Sequence, residues 1–175
     1  MYIIDDFYSV EDYEKMFTLA SSAKYAATYQ PNERFFQDRL KAYPCYQSDE
    51  FKFEDIMAKI FIKTFEEKSK FRLLTVKSYF RKILSSELKT IFKYGIASHQ
   101  DSTKFDFAGV IYYNIHSLYD GTAIYSSASH REPDIIIGAK SNRCVFYNPQ
   151  LFHSPLHDKD TEVRLIQPFF ITIEK

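Results

Sequence analysis

Beyond residue 70 the chain breaks into short apolar runs of strand character with no helical period between them, and this feature constrains the fold most. The runs are 72–82, 88–94, 107–114, 121–126, 134–138, 143–148 and 163–173, and turn-forming residues separate most of them. Closely spaced short strands without intervening helices predict an antiparallel sandwich or barrel and exclude a doubly wound parallel sheet. The residue usage agrees. With 14 Tyr, 17 Phe and only 4 Gly, the chain is rich in side chains that suit a pleated, half-buried surface.

The part before residue 70 reads differently. Ser9 opens an S-x-x-D cap with Asp12, and Tyr13, Met16, Phe17 and Ala20 follow on one helical face. Ser48 predicts a second N-cap, with Asp49 and Glu50 in a first turn where negative charge suits the helix dipole. Phe53, Ile56, Met57, Ile60, Phe61 and Phe65 then form an apolar stripe that ends in a solvated charged stretch, Glu66–Lys70. Residues 24–47 show no period and read as an extended loop with room for a short strand. The fold class is therefore α+β and mainly β: one domain over 1–175, with a helical part (1–70) packed on the outer face of a β part (71–175).

Composition sets outer limits. A chain of 175 residues with 45% hydrophobic and 26% charged side chains buries a real core, which excludes dominant disorder. A formal net charge of +0 gives no general pull toward nucleic acid or anionic membrane. Cys45 and Cys144 fit neither a zinc spacing nor a disulfide scaffold and read as buried, reduced thiols. The N-terminus is acidic and lacks the apolar stretch of a secretory leader, and no apolar run is long enough to span a membrane. A cytoplasmic protein is the expectation.

The residues that carry chemistry are His99, Asp101, His153 and Arg164. His99 and Asp101 flank Gln100 just after a predicted strand, and positions i and i+2 of an extended chain share a face. One imidazole and one carboxylate thus converge. His153, following the 143–148 run, supplies a second imidazole. Two imidazoles and a carboxylate on one side of a metal form the facial triad of non-haem Fe(II) oxygenases, which leaves positions open for cosubstrate and dioxygen. Arg164 lies inside the apolar run Val163, Leu165, Ile166. A guanidinium aimed into a core requires an anionic partner, and its fork suits a bidentate carboxylate. That partner is either a protein acid or a bound dicarboxylate. His116, His130 and His157 have no comparable frame, and His157 reads as surface. Tyr94 and Arg131 read as packing and solvated side chains.

Several of these elements occur in a family's order. From about residue 90 to 173 the chain resembles Fe(II)- and 2-oxoglutarate-dependent dioxygenases of the prolyl-hydroxylase-like branch. The resemblance rests on Tyr94-Gly95 before His99-Gln100-Asp101, on Tyr112 and Asn114 as a Y-x-N strand, and on the strand Asp120–Tyr125. It ends in Asn142–His153 and in Arg164. The fold it implies is a double-stranded β-helix, or jelly roll, with flanking N-terminal helices. It implies His99, Asp101 and His153 as iron ligands, with Arg164 and the Tyr112 hydroxyl on the distal carboxylate of 2-oxoglutarate. Fe(II), 2-oxoglutarate and dioxygen are the cofactor and cosubstrates implied. Asp120-Gly121 departs from the paired glycines common at that place in the family.

The activity implied is hydroxylation, or demethylation through hydroxylation, with release of succinate and carbon dioxide. Since metal ligands must be deprotonated, metal binding is expected to weaken in acid. The alternatives are a non-catalytic jelly-roll binding module and a cupin-like metalloenzyme that does not use 2-oxoglutarate. The nucleic-acid demethylase branch usually carries a second arginine further along the strand, where this chain has Phe170. A peptide or protein side chain, or a small metabolite, is therefore the expected substrate, and nucleic acid is not.

Overall fold

A computed structural model describes residues 1–28, 45–86, 98–158 and 160–175. The predicted 88–94 strand, Tyr94-Gly95 and much of the predicted 24–47 loop lie outside these residues. In chain order the elements are β1 (Tyr2–Ile4), α1 (Val10–Ser22), β2 (Ala26–Ala27), β3 (Tyr46–Gln47) and α2 (Ile56–Ser69). They continue with β4 (Leu73–Ser78), β5 (Arg81–Leu84), β6 (Phe107–Tyr112), β7 (His116–Tyr125) and β8 (Ile135–Lys140). The last three are β9 (Cys144–Tyr147), β10 (Phe152–Leu156) and β11 (Val163–Ile173).

Strand β11 is the spine of the larger sheet, whose order is β1-β9-β6-β11-β5-β3-β2. On one side β11 pairs with β6; on the other its first half pairs with β5 and its second half with β4. The smaller sheet is β10-β7-β8, and every strand pair in both sheets is antiparallel.

Side-chain alternation divides the larger sheet between two cores. Ile111 of β6, Cys144 and Phe146 of β9, and Leu165, Phe169 and Ile171 of β11 face the helices. There they meet Met16 and Ala20 of α1 and Ile60, Phe61 and Phe65 of α2. Phe169 stands with its ring centre 4.9 Å from that of Phe61, and Phe146 with its centre 5.0 Å from that of Phe65. The intervening residues, Ala108, Val110, Tyr112, Val145, Tyr147 and Ile166, face the smaller sheet and meet Ile124 and Ile137. Gly109 faces the helices because only hydrogen fits: a Cβ there would lie 2.3 Å from the Phe169 ring and 2.6 Å from the Val145 carbonyl. The predicted jelly roll with helices on its outer face is the fold observed.

Local readings fare unevenly. Ser9 caps α1, its hydroxyl accepting from the Asp12 amide at 3.1 Å. Ser48 does not cap α2. Its hydroxyl accepts from the Phe80 amide at 2.9 Å while its own amide donates to the Phe80 carbonyl, so a strand edge captures it. The helix begins at Ile56 behind Asp55 instead, which leaves Phe53 79% exposed and outside the predicted stripe. The predicted 72–82 strand is two strands, β4 and β5, because Tyr79 and Phe80 turn the chain between the two halves of β11. His153 lies within a strand of its own, β10, rather than after the preceding one. Both cysteines are buried and neither forms a disulfide, and among the described residues no helix is long and apolar enough to cross a membrane.

Candidate metal centre

His99 and His153 face each other across an isolated antiparallel bridge. Each amide donates to the other's carbonyl at 2.9 Å, and the ring centres lie 4.3 Å apart. Asp101, two residues on, is anchored by its amide to the Pro149 carbonyl at 2.8 Å. Gln150 Nε2 donates to the Asp101 carbonyl at 2.9 Å. The three predicted ligands therefore meet. His153 Nε2 is 3.3 Å from Asp101 Oδ2, and His99 Nε2 is 4.0 Å from Asp101 Oδ1. All three ligand atoms lie within 4.8 Å of one another.

The donor set fits a divalent metal. Bonds of about 2.1 Å at right angles place ligand atoms roughly 3 Å apart, close to the His153–Asp101 spacing. His153 Nδ1 is 2.9 Å from the Leu151 carbonyl. A carbonyl only accepts, so Nδ1 carries the proton and the Nε2 lone pair faces Asp101. This outer contact is the kind that fixes a metal-binding imidazole. Exposure is graded across the set, from a buried His153 through Asp101 to an exposed His99. One side of the centre thus opens to solvent.

Arg164 enters the space between the sheets from β11, on the same face as Ile166, and is 2% exposed. Its Nη1 donates to the Leu156 carbonyl at 2.7 Å and its Nη2 to the Gly121 carbonyl at 3.0 Å. His153 and Leu156 are three residues apart on one strand, so the guanidinium lies roughly 10 Å along that strand from the candidate ligands. Tyr112 lies beneath the guanidinium, 5.4 Å from ring centre to Cζ. Its hydroxyl pairs with Thr122 Oγ1 at 2.7 Å, and burial pushes the phenol above its ordinary range, keeping it a proton donor.

Two residues beside Arg164 escaped the sequence reading. Asp120 is fully buried with Oδ1 3.4 Å from Arg164 Nη1. His157 was expected at the surface, yet its side chain is 1% exposed. Its Nε2 lies 3.2 Å from Arg164 Nη1 and its Nδ1 3.8 Å from Asp120 Oδ1. Burial, then the charge of Arg164, hold the imidazole neutral, its pKa pushed down to about 2. Burial drives Asp120 upward, against the pull of Arg164. The signal for both was alternation. Asp120, Thr122 and Ile124 share one face of β7, and His157 continues the face of His153 and Pro155. His116 and His130 are exposed, and so is Arg131, as expected.

No protein-family model matches the sequence, and no curated protein does. Solved structures do. An oxidoreductase of the 2OG-Fe(II) oxygenase family from Burkholderia pseudomallei superposes with a TM-score of 0.61 at 8% identity, covering 97% of this chain and 84% of that one. A prolyl-4-hydroxylase from Pseudomonas putida gives 0.62 at 8% identity, over 99% and 92%. The non-heme alpha ketoglutarate-dependent epimerase SnoN from nogalamycin biosynthesis gives 0.58 at 9% identity, over 97% and 77%. The chain has the fold of these oxygenases, the double-stranded β-helix.

Proposed function

We propose that the protein is an Fe(II)- and 2-oxoglutarate-dependent dioxygenase of the hydroxylase type. The observation that carries this reading is the convergence of His99, Asp101 and His153 at the mouth of the inter-sheet space, with the His153 tautomer set by the Leu151 carbonyl. In this reading those three side chains hold the metal by one face. Arg164 holds the distal carboxylate of 2-oxoglutarate, and the Tyr112 hydroxyl donates to it when Thr122 supplies the proton of their shared hydrogen bond. When bound, Fe(II) with 2-oxoglutarate and dioxygen supplies the oxidising chemistry, which hydroxylates the substrate and releases succinate and carbon dioxide. The chain's own share is orientation and exclusion of water. Tyr147 and His153 pack with ring centres 4.8 Å apart and wall the centre from the interior.

The substrate is a peptide or protein side chain, or a small molecule. The prolyl-4-hydroxylase among the similar structures supports the first by analogy of fold. One observation favours a second reading, a cupin-like metalloenzyme without 2-oxoglutarate: Arg164 already faces a protein acid, Asp120. Anaerobic titration decides between them. The Mn(II)-loaded wild type is expected to bind 2-oxoglutarate, and Arg164→Ala to weaken it on the order of 10²-fold or more while metal affinity stays the same. Succinate released under air at the expense of 2-oxoglutarate completes the test. A protein that binds metal but ignores millimolar 2-oxoglutarate supports the cupin-like reading.

A further inference from the structure

Asp120 is hard to account for as a structural residue. It is 0% exposed, and neither carboxylate oxygen accepts a well-aligned hydrogen bond among the described residues. A buried carboxylate in that condition is costly. Its neighbours come from every side. Arg164 faces it from β11, His157 from the end of β10, and Tyr112 from β6. The Thr161 hydroxyl and the Asp158 backbone N–H reach it from the segment before β11 and, after Arg164, lower its pKa, and Asp158 is itself engaged by the Ser117 hydroxyl at 2.8 Å. Arg164 Nε is a third buried atom without a well-aligned partner among the described residues. Among the described residues Asp120 is thus held by loose contacts alone, the Arg164 Nη1 pair at 3.4 Å among them.

Charge counting gives these facts a consequence. Arg164 charged, Asp120 ionised and His157 neutral sum to zero, and the next charges out, Asp158 and Arg81, are one of each sign. A carboxylate seated on the free edge of Arg164, at Nε, leaves one negative charge in a site closed to solvent. Two carboxylates sharing one buried cation do not both stay ionised, because like charges at that range disfavour each other. The same arriving carboxylate cancels the Arg164 charge that helps to keep His157 neutral. Arg164 only donates, so His157 Nε2 accepts from it and Nδ1 carries the ring proton toward Asp120; a proton taken up by the pair therefore goes to the Asp120 carboxyl.

We propose that Asp120 and His157 form a proton-accepting pair in the cosubstrate pocket, so that a dicarboxylate settles on Arg164 only together with one proton. This rests on reading the site as one that holds 2-oxoglutarate. The pair acts as a specificity element, since a 2-oxo acid without a second carboxylate brings no charge to Arg164 and calls for no proton.

The experiment is calorimetric titration of the Mn(II)-loaded full chain with 2-oxoglutarate between pH 6 and 8.5, in two buffers of different ionisation enthalpy. Uptake of about one proton is expected, and a dissociation constant that rises about tenfold per pH unit where that uptake is complete. Pyruvate, the control that lacks the distal carboxylate, is expected to bind without uptake. Asp120→Asn is expected to abolish the uptake, flatten the pH dependence and bind 2-oxoglutarate more tightly at pH 8.5, by tenfold or more. The wild-type uptake decides the matter even if the variant fails to fold. Binding of 2-oxoglutarate with no uptake and a flat profile overturns the proton-accepting pair and leaves the oxygenase reading standing. Equal uptake with pyruvate also overturns it, since the proton then goes to the metal end. No binding of 2-oxoglutarate to metal-loaded protein overturns both.

Discussion

Replacing Arg164 by Met keeps an unbranched apolar stem, shortens the side chain and removes its charge and donors. The Leu156 and Gly121 carbonyls each lose a donor, at about 1 kcal/mol apiece toward the low end for a carbonyl. Asp120 loses its cation, and its cost has a ceiling because the carboxyl can take a proton instead. From an ordinary value of 3.8, protonation costs at most about 4 kcal/mol at pH 7 and under about 2 kcal/mol at pH 5. The sign follows. Burial already holds the folded-state pKa of Asp120 above the unfolded value, and losing Arg164 raises it further, so the added penalty is greatest at high pH and fades as pH falls. Arg164→Met is therefore expected to cost up to about 6 kcal/mol at pH 7, much of a typical domain's stability, with the deficit shrinking by roughly 2–3 kcal/mol at pH 5. Asp120→Asn added to Arg164→Met should remove that pH dependence. Urea unfolding followed by far-ultraviolet circular dichroism at the two pH values measures all three proteins. A deficit equal at pH 5 and pH 7 would refute the reasoning, for it would mean that Asp120 does not depend on Arg164.

Three further outcomes are expected. His99→Ala/His153→Ala should lose the roughly one equivalent of Mn(II) or Co(II) held by the wild type, measured by equilibrium dialysis; full retention places the metal elsewhere. Gly109→Ala should destabilise by about 1–3 kcal/mol in urea unfolding, because its methyl meets the Phe169 ring and the Val145 carbonyl, and an unchanged midpoint would contradict the close packing there. Asp5 is bound by Arg143 at 2.5 and 3.0 Å and by Lys140 at 3.2 Å, and these cations, Arg143 first, lower its pKa to about 2. Its stabilisation is thus complete above the unfolded value of 3.8 and lost as pH falls toward 2. With Asp5 39% exposed, the pair is worth about 0.5 kcal/mol, so Asp5→Asn should show a small deficit at pH 6 that narrows by pH 3 in thermal melts.

The strands with strict alternation were readable from the chain, and Val163–Ile173 has the bounds its pattern predicts. So were His99 and Asp101, because a spacing of two in extended chain settles which side chains share a face, and His153 from its place after the 143–148 run. Ser48 was misread because capping and strand-edge pairing use the same hydroxyl, and only the position of Phe80 decides between them. The 72–82 run was misread because nothing local says that β11 accepts two partners in succession. His157 and Asp120 were missed for a related reason. Their phase is set by a strand that begins at Phe152 and by a β7 whose register shifts between Ser117 and Gly121. Gly121, at φ +147°, marks that irregularity, since a Cβ there would sit 2.0 Å from the Ile137 carbonyl.

Strand β11 writes two messages in alternate letters. Leu165, Phe169 and Ile171 speak only to the helices, while Arg164 and Ile166 speak only to the space between the sheets. Point substitutions can therefore retune the cosubstrate side and leave the helix packing alone, or the reverse. The two sides drift separately under mutation. A deletion or insertion of one residue inside β11 has no such freedom. It shifts the reading frame of the strand by one face, driving a guanidinium toward the phenylalanines of α2 and a leucine into the place of the anchor. Among lineages of this fold, substitutions in β11 should be abundant and single-residue length changes rare.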